Sequence, residues 1–273
     1  MRGDPVEALR AAGCIAAEEE ADELAAAADR LGRPLPELVQ RRVAGEPLAW
    51  ITGRVGFAGF ELEMRPGIFV PRPHSEWLAV RAGELLQGGG ILADLCTGCG
   101  AVAAAAGRLA PVAEIWGTDT DPAAVDLARV NGVHALRGDL DAPLRRSLHG
   151  RCTVVTCVPP YVPESELALL TRDAREREPR AALVDADADG LGTARRAVAA
   201  AARLLAPDGT LLIEAGHAQC DELAQFARDS HFADAAVRRD SDDQARGVEA
   251  CLIGLVPCRS SAGEAGVRLE CRW

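Results

Sequence analysis

Four stretches carry residue types at spacings that could do chemistry. Residues 93–107 read ADLCTGCGAVAAAAG. An apolar run enters Asp94, turns at Gly98 and Gly100, and leaves as an alanine-rich helix. Such a turn lets backbone approach a ligand closely, and the helix start offers free N–H groups. Any strand–turn–helix of an α/β protein shares that outline. Residues 116–131, WGTDTDPAAVDLARVN, end a strand at Asp119, about 20 residues past the glycine turn, where doubly wound folds set an acid against ribose hydroxyls. Asp121 then caps the next helix, and a capping role for Asp119 is the competing reading. In LRGDLDAP (136–143), Asp139 could accept from an adenine amino group or simply hold a turn. The fourth stretch, TVVTCVPPYVPESE (153–166), ends an apolar run in Val158-Pro159-Pro160-Tyr161, with the only tyrosine of the chain. Proline fixes the backbone so that a carbonyl can point into a cleft. The ring of Tyr161 can then lie against a flat acceptor, or merely pack.

Other groups could assist. Glu178, Asp185 and Glu214 fall in segments near the carboxyl edge of a sheet, where carboxylates could orient a nitrogen or form salt bridges. His217 follows the strand LLIEAG, where an exposed loop histidine is the ordinary reading. Cys96 and Cys99 form a C-x-x-C, but no second pair stands at zinc-ribbon distance. They read as small packing residues, and no metal is implied.

Elements must hold these residues in place. Residues 1–50 read as short helices by apolar periodicity, including AAEEEADELAAAADRL, with acids in its first turn and arginine near its end. RPLPELVQRRVAG follows, opened by Pro36 and closed by Gly45. Residues 51–74 alternate aromatic or branched residues with glycine, as in a hairpin and connector. From 75 to 256 strands alternate with helices, which calls for a parallel sheet covered on both faces. Residues 257–273 lack periodicity and are expected to be loosely ordered.

The whole composition narrows the classes. The 273 residues are 48% hydrophobic, enough for a sizeable core, and no apolar run reaches the roughly 20 residues of a membrane span. The N-terminus lacks a signal-peptide core, so a cytoplasmic protein is expected. A net charge of -11 argues against nonspecific nucleic-acid binding. All 30 Lys/Arg positions are arginine, which excludes lysine-based covalent chemistry.

In order along the chain, these motifs resemble the class I methyltransferases that use S-adenosylmethionine (SAM). More narrowly they resemble the N5-glutamine methyltransferases of peptide chain release factors. The resemblance rests on GEPLAWITGRVGFAGFELEMRPGIFVPRPHSE, on DLCTGCGAV for D-L-G-T-G-S-G, and on TDTDPAAVDLARVN. It continues through VPPYVPESELALL, EREPRAALVDADADGLGTARR, LLAPDGTLLIEAGHAQ and RGVEACLIG. It implies a Rossmann-like, seven-stranded, mostly parallel sheet behind a small helical N-terminal domain and a hairpin. It also implies that Asp94, Thr97, Gly98 and Gly100 surround the methionine and ribose of SAM. Asp119 would take the ribose hydroxyls and Asp139 the adenine edge, with Phe69, Pro71, Arg72 and Glu76 as a roof.

One position departs from the family. Where the family has N-P-P-Y this chain has Val158, which offers neither donor nor acceptor. The family's asparagine and the first proline carbonyl hold the glutamine amide against the methyl group. Losing a partner for a buried amide costs ~1–3 kcal/mol. The sequence expectation is therefore an altered acceptor: a planar nitrogen such as the guanidinium of free L-arginine, lying beside Tyr161, donating to Pro159 and oriented by Glu178 or Glu214. Release-factor glutamine is the alternative, and a SAM-binding protein without transfer activity the third.

Overall fold

The computed structural model describes residues 4–253; the segment 257–273 lies outside the described residues. Four helices open the chain: α1 (Pro5–Ala11), α2 (Ala17–Leu31), α3 (Leu35–Val43) and α4 (Leu48–Thr52). Their apolar stripes meet in a small core around Leu9, Leu24, Leu38 and Ile51. Leu48–Thr52 carries the helix two residues past the expected boundary at residue 50, because five non-glycine residues run into Gly53, whose left-handed φ of 75° caps the turn. The hairpin follows as β1 (Arg54–Phe57) and β2 (Phe60–Glu63), paired antiparallel.

The rest is a three-layer sandwich. In chain order it runs α5 (Glu76–Leu85), β3 (Gly90–Leu95), α6 (Ala101–Leu109), β4 (Ala113–Asp119), α7 (Pro122–Val130), β5 (His134–Arg137) and β6 (Cys152–Cys157). Then come α8 (Arg172–Arg177), α9 (Arg180–Leu183), α10 (Gly192–Leu204), β7 (Leu205–Glu214), α11 (Cys220–Asp229), β8 (Phe232–Arg239) and β9 (Ala245–Leu252). The sheet order is β5-β4-β3-β6-β7-β9-β8, parallel except that β9 runs antiparallel to both its neighbours. This is the mostly parallel seven-stranded arrangement anticipated for a class I methyltransferase.

Alternation along the strands sends side chains to two cores. Leu92, Val154 and Leu212 meet α5, α6 and α7 on one face. Ala93, Val155 and Leu211 meet α10 and α11 on the other. Both faces are thus dry, as parallel sheets require. Strand order reverses at β3, whose neighbours are β4 and β6. In open α/β sheets the crevice at such a switch point receives the ligand. No helix among the described residues is long and apolar enough to cross a membrane.

Candidate active site

A cavity of about 580 Å³ opens at the carboxyl ends of β3, β4 and β6, within the size range of small-molecule sites. Its floor is the glycine turn. Asp94, at 2% exposure, accepts hydrogen bonds from the hydroxyls of Thr97 (2.6 Å) and Thr156 (2.7 Å). Burial pushes its carboxyl up to about 6, against the opposing pull of those hydroxyls. Cys96 sits at φ 56°, a left-handed conformation that favours the glycine of D-L-G-T-G-S-G. Gly100 has φ +83°, and a Cβ there would lie 3.1 Å from the Ala128 Cα. Only glycine lets α6 pack so tightly on α7. Over Gly98 a Cβ would meet nothing within 4 Å among the described residues, so this cradle is open toward the cavity.

Asp119 ends β4 and stitches the turn together: one carboxylate oxygen accepts from the Gly98 N–H and the other from the Asp121 N–H, both at 2.9 Å. Burial raises its pKa above the usual carboxylate range. Asp121 separately caps α7 through the Ala123 N–H (2.8 Å). Asp139 pairs with Arg196 (2.5 Å), and both line the cavity. Thr118 and Ser75 also line it, and their buried hydroxyl oxygens have no hydrogen-bond partner among the described residues. Two orphaned hydroxyls and an open glycine cradle fit a polar ligand of nucleoside type.

The roof comes from the segment after β2. Phe69, Pro71 and Arg72 line the cavity, with the Arg72 guanidinium 4.8 Å from the Phe69 ring centre. Glu178 holds Arg72 from behind, both oxygens 2.9 Å from its Nη2, and accepts weakly from the Val70 N–H. At the far end stand Val158, Pro159, Pro160 and Tyr161. The Val158 side chain packs against the apolar cluster of Phe57 and Ile68. Gln219 clamps the corner by donating to the Tyr161 carbonyl (2.9 Å).

Other residues named from sequence stand elsewhere. Glu178 and Glu214 lie behind the cavity wall and Glu76 is outside it. Asp185 accepts from the Gly192 and Thr193 N–H groups at the start of α10. His217 accepts from the Ala245 N–H through Nδ1 (3.0 Å) and is tied to β9. Three contributors escaped the sequence reading: Ser75, Thr118 and His74, the last also in the cavity wall. Asn131 escaped as well. It donates to the carbonyls of Glu63 (3.1 Å) and Cys99 (2.9 Å) and accepts from the Glu63 N–H (2.9 Å), clipping the hairpin to the glycine turn.

This fold and site define a class I, SAM-dependent methyltransferase. No family model matches the chain. The release factor glutamine methyltransferase of Gloeobacter violaceus is 35% identical over 210 residues, covering 72% of each chain. That of Streptomyces coelicolor is 34% identical over 221 residues, covering 77% of each. Among solved structures, a methyltransferase from Pyrococcus furiosus matches with TM-score 0.52 at 14% identity, over 71% of this chain and 90% of its own, a likeness of fold. The chain belongs to the release factor glutamine methyltransferase family, and it is an N-methyltransferase.

The expectation of free arginine as acceptor is thereby corrected. Relatives matching more than 70% of the chain share one name that designates another acceptor. The geometry gives a physical reason too. A guanidinium beside Tyr161 needs a facing carboxylate, yet Glu178 is committed to Arg72 and Glu214 stands behind the ring. Val158 adds only apolar surface.

Proposed function

We propose that this protein transfers a methyl group from SAM to the side-chain amide nitrogen of a glutamine in a peptide chain release factor. The observation that carries the reading is the Pro159-Pro160-Tyr161 corner sharing one cavity with the glycine turn and Asp119. A flat amide slides between a rigid proline corner and the methyl-donor end of the cofactor site, and the released Pro159 carbonyl is the acceptor for its N–H. Leu169, 80% exposed, adjoins the cavity-lining Leu170, an apolar lip suited to a protein rather than a free amino acid.

On this reading the residues take the following roles. Asp94, Thr97, Gly98 and Gly100 enclose the methionine and ribose portions of SAM, Asp119 accepts from the ribose hydroxyls and Asp139 from the adenine edge. Phe69, Pro71 and Arg72 close the roof and exclude water. When bound, SAM supplies an electrophilic methyl on a positively charged sulfur. The residues supply alignment and a dry chamber, which is where most of the rate gain of a direct displacement lies. Val158 supplies packing but no hydrogen bond, so the amide is held on one side only.

The test is formation of S-adenosylhomocysteine from SAM in the presence of a purified release factor. Product should form with the natural factor and be absent when its acceptor glutamine is replaced by alanine. Equal product from both, or none from either, overturns the reading.

A further inference from the structure

Behind Tyr161 lies a pair of titratable groups that the transfer described above leaves unused. His74, in the turn Pro73–Ser75 before α5, sets Nε2 3.4 Å from the Tyr161 hydroxyl and 3.4 Å from Oε1 of Glu214. Glu214 ends β7 at 1% exposure, and its Oε2 has no hydrogen-bond partner among the described residues. A buried carboxylate with an unpaired oxygen is costly unless a cation comes to it. Among the described residues the basic side chain paired with it is His74, an imidazole able to gain that charge.

His74 also occupies a boundary. It lines the 580 Å³ cavity and a second, more open one of about 540 Å³ on the outer side of α5. One ring therefore touches the reaction chamber and an outward-facing groove. Such a position suits a group that collects a proton inside and surrenders it outside.

We infer that His74, backed by Glu214, takes the proton shed by the acceptor nitrogen during methyl transfer, by way of the Tyr161 hydroxyl. The inference rests on the glutamine reading given above. The nitrogen lone pair forms the N–C bond as the C–S bond breaks, its electron pair staying on sulfur. The N–H electron pair then returns to nitrogen as its proton passes to Tyr161 Oη, whose own proton passes to His74 Nε2. The sum is a neutral methylated amide, a neutral thioether and an imidazolium facing the Glu214 carboxylate. Burial, and next the Glu214 charge, hold the Tyr161 hydroxyl well above its usual range, so Tyr161 stays protonated and relays rather than stores. The imidazolium then loses its proton to the outer groove.

The charges around His74 come from every neighbouring element: Arg72 two residues before it, Tyr161 after β6, and Glu214 on β7. Across the outer groove stand Arg81 and Glu84 of α5, Arg238, Arg239 and Asp240 at the end of β8, and Arg246 of β9. Arg246 is paired with Asp240 (2.6 Å) and Arg81 with Glu249 (3.0 Å). Among the described residues Glu214 is thus the carboxylate that meets His74 directly.

The experiment compares the full-length protein with His74→Gln, His74→Ala and Glu214→Gln on an intact release factor. His74→Gln should keep SAM affinity and lower kcat by roughly 100-fold, the scale of a general base. It should also abolish the rise of kcat with pH. His74→Ala should regain rate in imidazole buffer, and Glu214→Gln should lower kcat while keeping SAM affinity. An unchanged pH profile in His74→Gln, or no recovery with imidazole, overturns the inference. A second readout needs no turnover. Nitrogen-resolved NMR of the SAM-bound protein should show neutral His74 as the Nδ1–H tautomer, with an Nε2 resonance that moves in Tyr161→Phe. An Nε2–H tautomer would leave no acceptor for the tyrosine proton and would overturn it as well. Should the release factor prove inert with the wild-type protein, the glutamine reading fails while the NMR arm still decides the role of His74.

Discussion

At the residue scale, the proposed function puts its sharpest demands on Val158 and Asp94, which both line the cavity. Val158 contributes apolar packing at the position where, on the proposed glutamine reading, a side-chain amide would grip the acceptor. Restoring that grip with Val158→Asn should raise kcat/KM for the release factor by about tenfold, from a hydrogen bond of roughly 1–3 kcal/mol. SAM affinity should not change. A fall in kcat/KM would show that the packing of valine matters more than the lost partner. Asp94 sets a pH dependence. Its carboxyl is raised from the ordinary 3.8 to about 6, so the folded chain holds this proton more tightly than the unfolded one. The stability from this site is therefore present below about pH 4 and is lost as pH rises through about 6. Binding a cationic ligand reverses the preference, because it favours the ionised carboxylate. Calorimetric SAM affinity should accordingly weaken as pH falls through about 6, and Asp94→Asn should flatten that dependence. A flat wild-type profile would contradict the assignment.

At the element scale, the cavity floor depends on a clip between two elements distant in sequence. Asn131, 7% exposed, closes α7 and fastens β2 to the glycine turn with three hydrogen bonds. Asn131→Ala leaves the Glu63 and Cys99 carbonyls without this donor and the Glu63 N–H without this acceptor. It should cost about 1–3 kcal/mol of stability, read as a lower denaturation midpoint, and should weaken SAM binding through the loosened turn. A variant as stable as the parent would refute the clip. The sequence carried a signal for this residue, since it is the only asparagine in the chain, but not the contact, which joins residues 63, 99 and 131. Elements long enough to show a period were legible: AEIWGTD coincides with β4, and the alanine-rich run with α6. β5 has four residues, His134–Arg137, too few for alternation to register. The end of α4 was hidden because its apolar residues adjoin a glycine-rich hairpin and share its composition.

At the scale of the whole molecule, strand order decides which motifs meet. Reversal at β3 brings the turn after β3, the end of β4 and the corner after β6 to one edge. Local spacing therefore announced Asp94, Gly98, Gly100 and Asp119, and the resemblance of ordered motifs announced the sheet. Sequence could not say which carboxylates face the chamber. Glu178 and Glu214 both end up behind its wall, one to brace Arg72 and the other to face His74. Nor could it find His74, Ser75 and Thr118, whose neighbours lie on other elements. The substitution at 158 was legible as a change, but its weight depended on the rest of the molecule, and the family-wide match outweighs it. The most direct measurement of the central claim is a fragmentation mass spectrum of a release factor recovered after incubation with this protein and SAM. One added methyl group on the glutamine side-chain amide is the predicted result. An unmodified glutamine, with SAM bound and the protein folded, would contradict it.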